Sequence, residues 1–300
     1  KMYRGMLVTS SVETLAAATK TPLTQDLLTK AHILGVCVEV LQACFLVADD
    51  LMDGSHTRRG QPCWYLVPTV KMDSVNDTLI LESFIYFLLK EYFGDNSALF
   101  LQLSQLYHTV SLETQVGQML DLLSQPQGRK GPDVLAGFNE DLYRKIVKYK
   151  TACYTFYLPL ASGMVLCGFN EEKDLAKARA ICMELGEKFQ IEDDYLDCYQ
   201  DPEILGKIGT DIQDHKCSWL CVQALKRMSQ AQRERFEANY GKDDKECIAN
   251  IKALYKELKL EEVYFAQEEE SLKKIQAMIA STDLPDMFTA ILNKIHNRQK

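Results

Sequence analysis

The sequence predicts an all-α protein, and two observations support that class. Only 15 of the 300 residues are glycine and 8 are proline, too few for a loop-rich β-sandwich or a disordered chain. Apolar residues recur at helical spacing along most of the chain, and the 47% hydrophobic content can fill a large core. We therefore expect long helices packed around an apolar interior, in a chain whose length alone allows one domain or two.

The helical patterns follow one another from residue 24 to the C-terminus. The first runs from Thr24 to about Met52, begins after Pro22 and places apolar residues at i, i+3 and i+4. Further helices are predicted, in chain order, at 76–93, 97–123, 133–166, 173–198, 217–229, 243–257, 260–281 and 285–297. The last four contain few convergent polar groups, so we interpret them as scaffold.

Two polar loops between these helices carry candidate binding residues. The loop after the first helix includes Arg58 and Arg59, and the loop over 199–216 includes Lys207 and Lys216. Loops held by a rigid scaffold commonly carry binding groups. We therefore treat both loops as candidate parts of a site.

Three aspartates end the first predicted helix. Asp49 and Asp53 lie one turn apart on a common face, with Asp50 about 100° away. Carboxylate oxygens on one face suit Mg²⁺, which takes one or two carboxylates plus substrate phosphates. Arg58 and Arg59, just beyond, have the planar geometry that binds phosphate. The motif predicts a metal-dependent diphosphate site, although taken alone it also fits a solvated helix end.

A second copy of the motif favours chemistry over the solvated helix end. Asp193, Asp194 and Asp197 repeat the spacing of the first motif, again after an apolar helical pattern, and Phe189 matches Phe45 in the preceding turn. Facing each other across a helical bundle, the two motifs could hold a small cluster of metal ions.

The composition limits the class of partner and the compartment. A net charge of −8 argues against non-specific nucleic-acid binding, which needs a basic face. The ten cysteines form no CxxC pair, and several lie in apolar patterns, as expected for reduced thiols of an intracellular protein. The most apolar run, 34–48, is interrupted by Glu39 and Gln42 and falls short of the ~18 residues that span a bilayer. We therefore expect no nucleic acid and no membrane span.

The chain begins at Lys1 rather than methionine and opens directly on the basic residues Lys1 and Arg4. We expect a further N-terminal segment before it. A targeting sequence could stand there, so the prediction of a cytoplasmic protein leaves organellar targeting open.

Five segments give the chain a resemblance to a known family, the trans-isoprenyl diphosphate synthases, and within it to the eukaryotic farnesyl diphosphate synthases. The segments are FLVADDLMD at 45–53, TRRGQ at 57–61, KYKT at 148–151, FQIEDDYLD at 189–197 and GKIGTD at 206–211. Their order and spacing are those of the family, from Lys1 to the basic C-terminus. The resemblance implies one polyprenyl synthase domain over residues 1–300, with long helices around a central cavity, both aspartate motifs at its mouth, and a homodimer.

The resemblance also implies head-to-tail prenyl transfer from dimethylallyl or geranyl diphosphate to isopentenyl diphosphate, which gives farnesyl diphosphate. The allylic diphosphate ionises, the alkene of isopentenyl diphosphate attacks the cation, and a proton is lost. Such a reaction needs preorganised positive charge on the leaving diphosphate and weak dipoles near the cation. The family implies Mg²⁺, about three ions at most, with Mn²⁺ as a substitute. The implied metal ligands are Asp49, Asp53, Asp121, Asp193, Asp194 and Asp197.

Substrate-binding residues follow from the resemblance position by position. Those implied are Lys1, Arg4, Gln42, Arg58, Arg59, Gln118, Lys150, Thr151, Gln190, Lys207, Lys216 and Arg298. The implied catalytic residues, which would meet the allylic diphosphate or face the carbocation, are Lys150, Thr151, Gln190 and Tyr154. From spacing alone, Gln118 and Asp121 also fit a partly exposed pair, and Lys1 and Arg4 fit an ordinary solvated terminus.

Product length is predicted to depend on the residues below the first motif. The growing hydrocarbon would run towards Phe45 and Cys44, four and five residues before Asp49, and Phe45 as a floor would stop it near C15. Animal farnesyl synthases usually carry aromatic residues at both positions, so Cys44 is a departure that leaves the product length open. We predict that Phe45→Ala shifts the products to longer chains.

Other functions compete with this prediction. A terpene cyclase is disfavoured because the second motif is rich in aspartate and a homoallylic site is present. A longer-chain, geranylgeranyl-type synthase or a non-catalytic subunit is the alternative, although a non-catalytic partner would be expected to lose acidic residues. An acidic interaction module with no chemistry would not explain the placement of Arg58, Arg59, Lys150 and Lys207.

Overall fold

The computed structural model describes residues 2–125, 133–201 and 209–296, apart from the side chains of residues 133 and 134. Three predicted site residues, Lys1, Lys207 and Arg298, lie outside the described residues. Within the described part nearly all secondary structure is helical, which confirms the predicted all-α class.

The described helices are α1 (Tyr3–Thr19), α2 (Gln25–Asp53), α3 (Ser74–Phe93), α4 (Ser97–Ser124), α5 (Asp133–Ala136), α6 (Glu140–Ile146), α7 (Leu158–Leu166), α8 (Glu172–Tyr199), α9 (Trp219–Arg227), α10 (Gln230–Asn239), α11 (Lys245–Glu257), α12 (Leu260–Ala280) and α13 (Pro285–His296). Two short 3₁₀ turns, Trp64–Leu66 and Lys71–Asp73, precede α3. A small antiparallel hairpin pairs β1 (Thr57–Arg58) with β2 (Gln61–Pro62).

Helix α2 carries the first aspartate motif, and local signals fix both of its ends. Thr24 caps its start, where the Thr24 hydroxyl accepts a hydrogen bond from the Leu27 N–H at 3.2 Å. Gly54 follows the last helical residue in the left-handed conformation, with φ at 66°, which glycine adopts without steric cost. The predicted range of 24–52 is confirmed to within one residue at each end.

Two observed helices are absent from the sequence-based prediction. Helix α1 buries Val8, Val12 and Leu15, a helical spacing that the sequence does contain. Helix α10 is short and polar and buries Phe236 alone, so its periodicity carries little signal. Its start is marked instead by a capping box at Ser229.

The helix predicted over 133–166 is interrupted in the structure. Asn139 caps the start of α6 and accepts a hydrogen bond from the Leu142 N–H at 2.9 Å. After α6 the chain continues as a π-helical segment, Val147–Tyr157, before α7 resumes the α-helical winding. Such wider turns are rare and are found frequently at functional sites. This π-helical segment contains Lys150, Thr151 and Tyr154.

Contacts divide the chain into two compact units. The first comprises the described residues of 2–114, 152–185 and 276–296, and the second those of 115–151 and 186–275. The first aspartate motif belongs to the first unit and the second motif to the second unit.

Each unit has its own apolar core. In the first unit α2 packs against α1, α3 and α7 and buries Leu34, Val38 and Leu41. In the second unit the core includes Ile191 on α8 and Trp219 at the start of α9. The helix ends that carry the aspartates are therefore held by buried apolar side chains behind them.

Helix α2 is long and apolar enough, by length and composition alone, to cross a membrane. The core helix of a soluble protein passes the same test, and 44% of the most apolar window of α2 is buried here. The result differs from the sequence prediction because a window average tolerates the isolated polar residues Glu39 and Gln42. By itself the match is weak evidence for a membrane span.

Candidate active site

The three carboxylates of the first aspartate motif differ in burial. Asp49 and Asp53 are half-buried on one face of α2, whereas Asp50 is buried at 3% exposure. The Arg58 Nε lies 3.0 Å from Asp50 Oδ1 and 3.2 Å from Oδ2, and Arg58 Nη2 also donates to Oδ1. The same Nη2 lies 3.4 Å from Asp49 Oδ2. The guanidinium therefore compensates the buried charge of Asp50.

A tight hairpin positions Arg58. The strands pair Arg58 with Gln61, so Arg59 and Gly60 form a two-residue turn. Both turn residues have positive φ, 55° and 75°, as a type I′ turn requires. The hairpin directs Arg58 towards the motif and leaves Arg59 exposed at its tip.

A second charged cluster surrounds Asp121 on α4. Its carboxylate is buried at 5% exposure, and Oδ2 accepts hydrogen bonds from Lys150 Nζ at 2.6 Å and Lys216 Nζ at 3.0 Å. Burial alone would raise the pKa of Asp121, but the two ammonium groups outweigh it and hold that pKa below its ordinary value. The structure thus brings together three predicted site residues that are far apart in the sequence.

A glycine allows this cluster to form. Gly117 lies one helical turn before Asp121, and a Cβ there would lie 2.1 Å from the backbone nitrogen of Lys150. The backbones of α4 and the π-helical segment therefore approach more closely than any larger residue permits. Gly117 is not among the residues predicted from the sequence, because a glycine inside an apolar helix gives no direct sign of its contact.

A chain of hydrogen bonds connects the π-helical segment to the second motif. Thr151 Oγ1 donates to Gln190 Oε1 at 3.1 Å, and Gln190 Nε2 donates to Asp194 Oδ1 at 2.9 Å. Asp194 Oδ2 accepts from the Trp219 N–H, at the start of α9, at 2.7 Å. Burial raises the pKa of Asp194 to about 7, because these donors offset the desolvation only in part. Both oxygens of Asp194 thus contact protein donors.

The other two carboxylates of the second motif differ in burial. Asp193 is half-buried, and Asp197 is buried at 9% exposure. Asp197 Oδ2 accepts a hydrogen bond from the Asp211 N–H at 3.0 Å. A Cβ at Gly209 would lie 1.9 Å from the Asp197 carbonyl oxygen, so the backbone at Gly209 lies directly against the end of α8.

Arg4, one of the predicted substrate-binding residues, is anchored by two residues of the π-helical segment. Its Nε and Nη2 each lie 3.1 Å from Thr155 Oγ1, and Nη2 lies 3.3 Å from the Tyr154 hydroxyl. The guanidinium also lies 4.9 Å from the centre of the Tyr154 ring, a cation–π distance. Thr155 is absent from the sequence prediction, because nothing in its sequence context indicates a partner on α1.

The two residues predicted to set product length have different surroundings. Phe45 is half-buried and its ring meets the Tyr154 ring edge to face, with centroids 5.5 Å apart. Cys44 is buried, and its thiol donates to the Thr78 carbonyl on α3 at 3.3 Å. Burial and the nearby Glu82 raise the pKa of the Cys44 thiol to about 11, so it stays protonated at neutral pH.

Two predicted binding residues carry buried amide atoms without a hydrogen-bond partner among the described residues. These atoms are Oε1 of Gln42, on α2, and Nε2 of Gln118, on α4. Gln42 is 5% exposed, and an unsatisfied polar atom at such depth is costly. Each of these atoms could accept or donate a hydrogen bond to a polar ligand bound in its own unit.

The donor set suits a metal that shares its coordination with a substrate. Among the described residues, no group of three or more His, Cys, Asp or Glu side chains could hold an ion alone. Each aspartate motif instead offers carboxylates paired at i and i+4. Mg²⁺ usually binds one or two carboxylates and completes its octahedron with phosphate oxygens and water, so the residues present fit that ion.

Comparison with known proteins identifies the class to which this site belongs. The polyprenyl synthetase family model matches residues 1–258. The chain therefore belongs to the polyprenyl synthetase family, and the predicted resemblance and prenyltransferase class are confirmed.

The chain is similar to farnesyl diphosphate synthases of several organisms. The chain is 46% identical to the farnesyl pyrophosphate synthase of Rattus norvegicus over 303 residues, covering all of this chain and 84% of the rat protein. It is 47% identical to that of Homo sapiens, covering all of this chain and 71% of the human protein. The solved structure of T. brucei farnesyl diphosphate synthase complexed with minodronate matches with a TM-score of 0.92 at 35% identity, covering all of this chain and 88% of that one.

Proposed function

We propose that this protein condenses isopentenyl diphosphate with dimethylallyl diphosphate and then with geranyl diphosphate, giving farnesyl diphosphate. The observation that carries the proposal is the pair of ammonium groups, from Lys150 and Lys216, held on the buried carboxylate of Asp121. This cluster lies beside the Thr151–Gln190–Asp194 chain of hydrogen bonds. The names of the rat and human relatives support the same assignment.

The barrier in this reaction is the separation of diphosphate from a carbocation. The allylic C–O bond breaks and its electron pair leaves with the diphosphate. C4 of isopentenyl diphosphate then bonds to the allylic carbon, and the departed diphosphate takes a proton from C2, whose electron pair forms the new C2=C3 double bond. Lys150 and Lys216 provide fixed positive charge for the leaving oxygens, and Asp121 holds them in place before substrate arrives. The preorganised ammonium groups avoid reorganisation during the reaction.

The Gln190 amide has a fixed orientation that suits a developing cation. Because its Nε2 donates to Asp194, its Oε1 is the end that faces Thr151. A carbonyl dipole directed in this way stabilises positive charge on the allylic carbon. The electron-rich ring of Tyr154, which is in a cation–π contact with Arg4, is a second group of the π-helical segment that can stabilise positive charge.

The metal is proposed to be Mg²⁺, about three ions at most, with Mn²⁺ as a substitute. The residues that would hold it are Asp49, Asp53, Asp121, Asp193, Asp194 and Asp197. When bound, the metal neutralises charge on the departing diphosphate.

Isopentenyl diphosphate, the homoallylic substrate, is proposed to bind near Arg4 and Gln42. Lys1 and Arg298, which lie outside the described residues, are proposed to bind the same diphosphate. Arg4 is already anchored, and the buried Gln42 amide has an unsatisfied oxygen. Arg58, Arg59, Gln118 and Lys207 complete the proposed set of diphosphate ligands. Arg58 would exchange its contact with Asp49 for phosphate oxygens while Asp50 retains it.

A C15 product is proposed because Phe45 and Tyr154 meet edge to face one turn below Asp49. A longer, geranylgeranyl-type product is the second candidate. The observation that favours it is Cys44, which presents a small side chain at the neighbouring position.

A homodimer is proposed from exposed apolar side chains on one helix of the first unit. The exposed residues are Leu79, Ile80, Phe84 and Phe87 on α3. Such an unpartnered stripe marks an interaction surface, and a second copy presents a matching stripe. No nucleic-acid partner and no membrane span are proposed, with α2 acting as a core helix. A cytoplasmic location agrees with the ten free cysteines, most of them buried.

The proposal is tested by steady-state kinetics with isopentenyl and geranyl diphosphates in the presence of Mg²⁺. Lys150→Ala should lower kcat by roughly 100- to 1000-fold, the usual effect of removing one preorganised charge-stabilising donor. Lys145→Ala, exposed on α6, is the matched control and should leave kcat unchanged. Equal rates for the Lys150→Ala variant and the wild type would refute the proposed role of the lysine pair.

A further inference from the structure

The first turn of α1, defined as Tyr3, Arg4 and Gly5, is held by three other elements. The ring of Tyr3 lies 4.7 Å from Lys294 Nζ on α13. Arg4 is anchored by Thr155 as described above. The Gly5 N–H donates to Glu39 Oε1, on α2, at 2.8 Å. All of these residues belong to the first unit. Because the three contacts are made within the protein, the turn is fixed before any ligand binds.

Glu39 acts as a cap for a helix to which it does not belong. The N–H groups of a first helical turn lack acceptors within the helix, and Met2, at the N-cap position, makes no side-chain hydrogen bond to them. Among the described residues, the first backbone bond of α1 runs from the Met6 N–H to the Met2 carbonyl, and the acceptor of the Gly5 N–H lies outside α1. The Glu39 carboxylate supplies it and places negative charge at the positive end of α1.

Two facing glycines bring the helices close enough for this bond. A Cβ at Gly5 would lie 2.8 Å from the Gly35 carbonyl oxygen, and a Cβ at Gly35 would lie 2.7 Å from the Gly5 carbonyl oxygen. Gly35 is one helical turn before Glu39 on the same face of α2. The glycine contact and the cap therefore form one continuous junction between α1 and α2.

The same face of α2 carries a predicted ligand. Gln42 lies three residues after Glu39, so the two side chains are neighbours on the helix surface. Its buried Oε1 has no partner among the described residues. The junction therefore fixes Arg4 relative to the helix that carries Gln42.

We infer that Glu39 is a positioning residue for isopentenyl diphosphate, the homoallylic substrate. Glu39 fixes the first turn of α1 so that Arg4 and Gln42 bind the same diphosphate. This inference rests on the proposed function. Glu39 is not itself a ligand for the diphosphate, because a carboxylate would repel that anion. Its role is exerted through the backbone of Gly5.

The test compares Glu39→Ala with Glu39→Gln in the full chain. Glu39→Ala should raise KM for isopentenyl diphosphate by roughly 2- to 30-fold, the factor that corresponds to the loss of a helix N-cap. The kcat value and KM for geranyl diphosphate should stay near those of the wild type. Glu39→Gln keeps a side-chain oxygen that can accept from Gly5 and should restore most of the affinity. Glu13→Ala, exposed on α1, is the matched control.

The outcomes separate this inference from the proposed function. An active wild type whose KM for isopentenyl diphosphate is unchanged by Glu39→Ala would overturn the inference alone, as would an equal rise in both KM values. A wild type that forms no product would overturn the proposed function. If Glu39→Ala does not fold, Glu39→Asp, which is one methylene too short to keep the 2.8 Å bond, should show the same selective rise in KM.

Discussion

Replacing Gly117 with alanine tests whether the close approach of α4 to the π-helical segment sets the Lys150–Asp121 pair. The new Cβ would lie 2.1 Å from the Lys150 nitrogen and 2.4 Å from the Tyr149 carbonyl carbon, against 3.4 Å for ordinary contact. Both are backbone atoms, so no side-chain rotation relieves the overlap. The two backbones must therefore separate by roughly 1 Å.

This separation has consequences for stability and for catalysis. Overpacking of this kind typically costs about 1–3 kcal/mol of the free energy of unfolding, which lowers Tm by several degrees. The Lys150 Nζ to Asp121 Oδ2 distance, now 2.6 Å, would lengthen beyond hydrogen-bonding range. Since a misplacement of about 1 Å can cost about a hundredfold in rate, we expect kcat to fall by about that factor.

The assay is steady-state turnover of isopentenyl and geranyl diphosphates, paired with thermal unfolding followed by circular dichroism. Thr109→Ala, on an exposed position of the same helix, is the control and should leave both quantities unchanged. A Gly117→Ala variant that retains the kcat and Tm of the wild type would show that the two backbones accommodate the added Cβ without separating. Wild-type kcat with a lowered Tm would restrict the role of Gly117 to packing.

Three further predictions concern product length, pH and a buried ion pair. Phe45→Ala, which removes the ring against Tyr154, should shift products beyond C15 in chromatographic analysis; an unchanged profile would count against the floor. Burial lowers the pKa of His215, so unfolding takes up a proton below about pH 6.5 and stability falls as pH drops through that value. His215→Asn, which tolerates the φ of 55°, should flatten the fall in Tm between about pH 7 and 5, and an unaltered slope would contradict this. Glu268→Gln leaves the ammonium of Lys188, 2% exposed, without its charge partner and should cost about 3–5 kcal/mol in denaturant unfolding; a loss under about 1 kcal/mol would show that Lys188 is compensated elsewhere.

Local sequence patterns predicted helix α2 and the first aspartate motif well. The apolar spacing of α2, its end at Gly54 and the shared face of Asp49 and Asp53 depend only on residues that are close together in the sequence. Low glycine and proline content and the helical spacing of the apolar residues were sufficient for the all-α class. The helix α1 could have been found by the same reasoning, since Val8, Val12 and Leu15 follow helical spacing.

The contacts that build the candidate site could not be predicted in the same way. Lys216 meets Asp121 across 95 positions of sequence, and the Trp219 N–H meets Asp194 across 25. Such partners depend on tertiary packing, which leaves no periodic signal. The resemblance named most of the residues, but it did not include Gly117 or Glu39, because their roles lie in backbone approach and backbone capping.

Identifying the product decides whether this chain is a prenyltransferase that forms farnesyl diphosphate. The full-length protein is incubated with Mg²⁺, isopentenyl diphosphate and geranyl diphosphate, and the dephosphorylated products are analysed by mass spectrometry. A C15 alcohol that disappears when the metal is chelated is the predicted result. Absence of any condensation product, from folded protein with metal and both substrates present, would contradict the account.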